Sequence, residues 1–203
     1  MYGQCLLILT NKVNKQMKPV VVKFLFLFLL ITSKNTFSQQ LTENTNTMEN
    51  INQQLITKFY TCFQNKDYKG MQECYADNAT FSDEVFVNLN AAQVKAMWAM
   101  LCERGKDLRL DFKNVQSVGT NGSSEWIAYY TFSASNRKVV NHVKASFIIE
   151  NGKFVKHIDS FNFYKWSKQA LGLPGALLGW TKFLKKKVRQ GAMKSLNDYM
   201  NKK

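Results

Sequence analysis

Histidine and cysteine are scarce in this chain. The 203 residues hold two His, His142 and His157, and four Cys. No C-x-x-C pair occurs, and no group of His and Cys has the spacing of metal ligands. Neither a metal site nor a cofactor is therefore expected. Long hydrophobic runs are missing too. The unbroken apolar run Phe24 to Ile31 has eight residues, too few for a helix to cross a hydrocarbon layer of about 30 Å. Acidic residues are absent from residues 1–38, which carry five Lys, and only Asp198 opposes the ten basic side chains of residues 164–203. Between them, residues 39–163 balance thirteen basic against thirteen acidic side chains. The formal charge of +14 thus belongs to the two ends. A neutral body argues against a nucleic-acid partner.

The front end reads as an export signal. The basic segment from Met17 to Lys23 precedes the apolar run, and Thr36 and Ser38 place small residues at −3 and −1 of a cleavage site before Gln39. Residues 1–38 are expected to be this segment, with Met17 an alternative start. The expected location is then periplasmic or secreted, in a bacterial source. Residues 39–47 are polar and read as a linker. Removing Cys5 with the signal leaves Cys62, Cys74 and Cys102. An odd number cannot pair completely, so buried thiols or a Cys62–Cys74 bridge remain the two options.

Periodicity divides the rest. Leu55, Ile56, Phe59, Cys62 and Phe63 share one helical face, and Asp67 is placed to cap a second helix running to Tyr75. Ala79 to Asp83 alternates as a strand. A third helix is expected over Ala91 to Arg104, capped by Asn90 and ended by Gly105. Four strands follow over 107–118, 125–133, 139–150 and 154–163, with Asn151-Gly152 as a strong hairpin signal. Helices followed by an antiparallel meander imply an α+β domain with helices on one face of the sheet.

Alternation sorts the strand residues into faces. Val155, His157, Asp159, Phe161 and Phe163 fall on one side, and Val143, Ala145, Phe147 and Ile149 share a side of the preceding strand. Trp126, Ala128, Tyr130 and Phe132 group in the strand before that. A carboxylate on an apolar face is either hydrogen-bonded structure or a working group. Asp159 and Asp83 are the two candidates, and His157 shares the face of Asp159.

The order of a helix, Asn65-Lys-Asp67, a second helix, Tyr75-Ala-Asp-Asn-Ala-Thr-Phe-Ser-Asp83 and a strand resembles the opening of the nuclear transport factor 2-like superfamily. The nearest match within it is the SnoaL-like branch, related to ketosteroid isomerases and limonene-epoxide hydrolases. The resemblance spans residues 48–164. It implies a cone-shaped, curved antiparallel sheet wrapped around N-terminal helices, with an internal pocket for an apolar small molecule. It also implies ligand contacts from Phe59, Tyr60, Trp98, Trp126, Tyr130, Phe147 and Phe161.

Set against ketosteroid isomerase, Asp83 falls on the general base. Phe59 falls on a tyrosine donor, with Tyr60 adjacent, and Ala145 on a protonated acid. With both donors replaced, steroid isomerisation by that route is not expected. Set against limonene-epoxide hydrolase, Asp159 falls on the aspartate that helps activate water. The strand Trp126 to Thr131 lacks that family's Arg and Asp. Lyase, isomerase or hydrolase chemistry through Asp159, Asp83 and His157 is therefore one expectation, and a non-catalytic binding or interaction module is the other.

Residues 165–203 form a basic helical extension outside the resemblance. Leu171-Gly-Leu-Pro-Gly175 breaks the chain, and Leu184, Val188, Ala192, Leu196 and Met200 then recur every fourth residue. That stripe would pack on the body, close over the cone mouth, form a subunit contact in a homodimer, or meet an anionic membrane surface through residues 181–203.

Overall fold

Apolar spacing produces the first element. Residues 47–64 are helical (α1), with Ile56, Phe59, Tyr60 and Phe63 buried along one face. The structure is a computed structural model, and it describes residues 47–202. The expected export segment and nearly all of the expected linker lie outside that range. Asp67 accepts from the Gly70 N–H and caps α2 (Tyr68–Glu73). Strand β1 (Tyr75–Ser82) follows, then the two-residue β2 (Leu89–Asn90). Helix α3 (Ala91–Arg104) starts at a reciprocal capping box between Asn90 and Gln93. The meander β3 (Arg109–Val118), β4 (Asn121–Phe132), β5 (Arg137–Glu150) and β6 (Lys153–Phe161) completes the sheet. Three helices end the chain: α4 (Phe163–Leu171), α5 (Leu173–Leu178) and α6 (Lys182–Met200).

The six strands form one curved, unclosed sheet in the order β2-β1-β6-β5-β4-β3. This is the expected α+β architecture, with one refinement: β1 runs parallel to β6, while the other neighbours are antiparallel. The main core lies between the helices and the concave side. At its centre Phe59 meets Tyr60, Tyr75, Trp98, Phe147, Phe154 and His157 edge-on, the geometry that aromatic quadrupoles favour.

Three local expectations are corrected. Tyr75 opens β1 instead of closing α2, because its side chain turns into the core. Phe154, not Val155, is fully buried: one extra residue in β6 opposite Ile148 and Ile149 bulges the strand and shifts the alternation. Phe163 begins α4 instead of ending a strand, because Asn162 caps the new helix by accepting from the Lys165 N–H.

The tail helix packs on the body. Leu196 and Tyr199 are buried, and Ala192, Met193 and Met200 pack against the main core. Val188 instead joins a second cluster with Val139, Phe163, Trp166 and Ala170. Cys62, Cys74 and Cys102 are free thiols. Burial pushes Cys74 up to about 12 and Cys102 to about 11.

Candidate functional site

The parallel pairing of β1 with β6 sets Phe81 beside His157 and brings Tyr75 across the same inner face. The Tyr75 hydroxyl lies 2.6 Å from His157 Nδ1, and the Trp98 indole N–H donates to that hydroxyl at 2.9 Å. His157 Nε2 lies 3.1 Å from Asp159 Oδ1, which also accepts from the Trp126 indole N–H at 3.3 Å. Direction along this chain follows from the donors. An indole N–H can only donate, so the Tyr75 oxygen accepts from Trp98; a carboxylate oxygen only accepts, so His157 Nε2 is the donor to Asp159. With its proton on Nε2, a neutral imidazole leaves Nδ1 to accept from the Tyr75 O–H. Helix α3 and strands β1, β6 and β4 are joined in one buried relay.

The relay is enclosed by rings. Phe147 lies 4.3 Å and Phe81 5.0 Å from the imidazole by ring centroids, and Tyr75 and Trp98 stack on it at 6.1 Å. His157 has no exposed surface. It cannot touch a ligand in this arrangement, and its Nε2 is held against Asp159 Oδ1. Burial raises the Tyr75 hydroxyl well above its ordinary range, opposed in part by the Trp98 donor.

Asp159 sits at the outer end of the relay. Both of its donors meet Oδ1, and Oδ2 has no hydrogen bond to a described residue. Asp83 repeats this asymmetry. It lies just past β1, where Oδ1 accepts the Val85 N–H at 2.6 Å and also the Phe86 N–H. Desolvation pushes its carboxyl up to about 7, the two N–H donors pull it down, and the charges of Asp159 and Glu84 add to the rise. The Tyr60 hydroxyl is buried facing Ser124, and neither oxygen has a well-formed hydrogen bond. Burial, with the Asp159 charge second, holds Tyr60 well above its ordinary range.

The expected ligand contacts separate into two groups. Phe59, Tyr60, Trp98 and Phe147 are fully buried with His157, and the rings fill the cone interior. Trp126, Tyr130 and Phe161 are only half-buried. The C-terminal extension covers Tyr130 and Phe161, whereas Trp126 packs against the main core. Trp166 of α4 donates its indole N–H to the Tyr130 hydroxyl at 2.8 Å, and Val85, Phe132, Phe161, Leu171 and Val188 pack around it. Two surface depressions are found. One, of about 450 Å³, is bordered by Asn114, Gln116, Glu125 and Lys144, and one of about 440 Å³ by Lys182, Lys185, Lys186 and Arg189. The first reaches Ser124 and also Ala145, which pairs with Asp159 in the sheet.

Sequence reasoning missed Tyr75, Ser124 and Trp166. A tyrosine at the end of a short capped helix reads as a helical residue, and only the strand pairing reveals its role. Of the two residues compared with an oxyanion-hole tyrosine, Phe59 has no hydroxyl, and Tyr60 places one within electrostatic range of Asp159. Among the described residues no group of three or more His, Cys, Asp or Glu could hold a metal ion.

A family model for the SnoaL-like domain matches residues 56–157. Among solved structures, an epoxide hydrolase of the limonene-epoxide-hydrolase-like type from M. tuberculosis is similar at 16% identity and a TM-score of 0.52, covering 64% of this chain and 98% of its own. A nuclear transport factor 2-like protein of unknown function from Burkholderia pseudomallei is similar at 16% identity and a TM-score of 0.53, covering 59% and 97%. TerC, co-crystallised with polyporic acid, is similar at 15% identity and a TM-score of 0.52, covering 60% and 98%. A search of curated proteins finds no match. At these identities the structural likeness establishes the fold alone.

Proposed function

The chain belongs to the SnoaL-like domain family, and from that premise we propose that it binds an apolar small molecule at the cone mouth, between Asp159 and Asp83. One observation carries this. Each of these two acids spends Oδ1 on protein donors and leaves Oδ2 without a hydrogen bond to a described residue. Half-buried Trp126, Tyr130 and Phe161 supply apolar surface beside them, the combination of ring walls and a few polar groups that ligand sites use.

The arrangement also suits acid–base work on a bound ligand. A carboxyl at about 7 is divided between its two forms at neutral pH, so Asp83 would give or take a proton. Asp159, oriented by His157 and Trp126, would be the second acid or base. Proton transfer of this kind serves a lyase, an isomerase or a hydrolase. The N–H bonds that Asp83 accepts from Val85 and Phe86 favour a second proposal, a non-catalytic binder in which Asp83 shapes the loop. Ligand access in either case requires α4 to move from Tyr130. We further propose export from a bacterial cytoplasm, on the strength of the sequence from Met17 to Ser38.

Mass spectrometry of organic extracts from natively purified protein tests the binding proposal. A small apolar compound should appear in stoichiometric amount with wild type and be depleted in Asp159→Asn. Equal recovery from both proteins would move the site elsewhere.

A further inference from the structure

Helix α5 is built inside out. Gly175 within it and Gly179 just after it face inward: a Cβ on Gly175 would meet the Ser167 carbonyl oxygen at 1.9 Å, and one on Gly179 would meet Ser167 Oγ at 2.0 Å. The missing side chains let α5 and the turn after it lie directly on α4. Four residues apart on the open side, Leu173 and Leu177 are exposed at 71% and 63%. Leu178, Trp180 at 76% and Phe183 at 63% continue this surface into the start of α6. Of the twelve exposed large hydrophobic side chains among the described residues, six lie between Tyr164 and Phe183. Folding alone would bury leucines and expose glycines here. The reversal marks a contact surface.

Charge identifies what it contacts. Lys182, Lys186 and Lys187 are exposed around Trp180 and Phe183, Lys165 and Lys168 are exposed on α4, and the stretch from Tyr164 to Asn197 contains no acid. Lys182 and Lys186 also border the depression of about 440 Å³ with Lys185 and Arg189, which reach Glu84. An apolar knuckle with Trp and Phe at its tip and a collar of Lys matches the boundary between headgroups and acyl chains of an anionic bilayer.

We propose that Leu173 to Phe183 docks this domain on an anionic membrane surface, with Leu173, Leu177, Trp180 and Phe183 entering the acyl boundary and the lysines meeting lipid phosphates. The proposal does not depend on the ligand site. It shares only the start of the expected surface over residues 181–203, because the stripe Val188, Ala192, Leu196 and Met200 packs on the body.

The test uses the full chain with vesicles of phosphatidylglycerol carrying brominated acyl chains, which quench only tryptophans that enter the bilayer. The apolar run at Phe24 to Ile31 contains no Trp, so its own insertion is silent. Quenching is expected in wild type and should be largely lost in Trp180→Phe. The pair Trp180→Ser and Phe183→Ser should weaken partition about tenfold or more, and phosphatidylcholine vesicles should bind less. Co-sedimentation without quenching, or equal partition of the paired variant, overturns the proposal. A dimer in lipid-free solution that the paired variant dissolves would assign the knuckle to a second copy of the chain and overturn it as well.

Discussion

The Trp166 indole N–H donates to the Tyr130 hydroxyl at 2.8 Å, so a residue four positions into α4 fastens that helix to strand β4. The bond is half-buried and lies among apolar side chains, where an unpaired partner is costly. It makes α4 part of the candidate site and not an appendage to it.

Trp166→Phe keeps an aromatic ring but removes the donor and the rest of the indole. The expected loss in urea unfolding is about 1–3 kcal/mol, the hydrogen bond plus the space left behind. Amide hydrogen exchange over α4 should rise well before exchange in β5 and β6. An unchanged α4 would mean that its apolar contacts hold it unaided.

Tyr75→Phe should also cost stability. It leaves both the Trp98 N–H and His157 Nδ1 without a partner at a fully buried position. A loss of about 1–3 kcal/mol is expected, or roughly 2–12 °C in melting temperature for a domain of this size. Differential scanning calorimetry checks the value. A loss within a few tenths of wild type would show that water or another group satisfies the relay.

Asp83 links stability to pH. Its carboxyl holds a proton up to about 7 in the folded protein, against 3.8 in the unfolded chain. Between those values the native state binds the extra proton, so this group lowers stability as pH rises from about 4 to about 7. The full difference is at most about 4 kcal/mol. Asp83→Asn cannot ionise and keeps an acceptor for the Val85 and Phe86 N–H groups. Urea unfolding at pH 5 and pH 8 should show a smaller decline for the variant than for wild type. Equal declines would place the ionisation elsewhere.

Much of the fold can be read from the chain, because its signals are local. The face of α1 around Phe59, the cap at Asn90 and the Asn151-Gly152 hairpin each follow from a few neighbouring residues. Asp159 and His157 are legible as a pair because alternation holds over residues 157–161. It fails two residues earlier, where Phe154 and Val155 are both apolar and nothing in their identity marks the bulge. Tyr75 was hidden by distance, since the partner that explains it is 82 positions away. Trp166 was hidden in the same way, by 36 positions. In α5 the usual inference runs backwards, because Gly175 and Gly179 face inward and Leu173 and Leu177 face out.

In the proposed apolar ligand site the open oxygens of Asp83 and Asp159 are the polar part. Carboxyl-detected ¹³C NMR with 1-naphthol as the probe, an apolar ring with one hydroxyl donor, tests it most directly. Saturable shifts should appear at the carboxyl carbons of Asp159 and Asp83 and at the Trp126 indole, and Asp159→Asn should weaken binding about tenfold, the loss of one hydrogen bond to a charged group. Shifts confined to other residues, or equal affinity in Asp159→Asn, would contradict the claim.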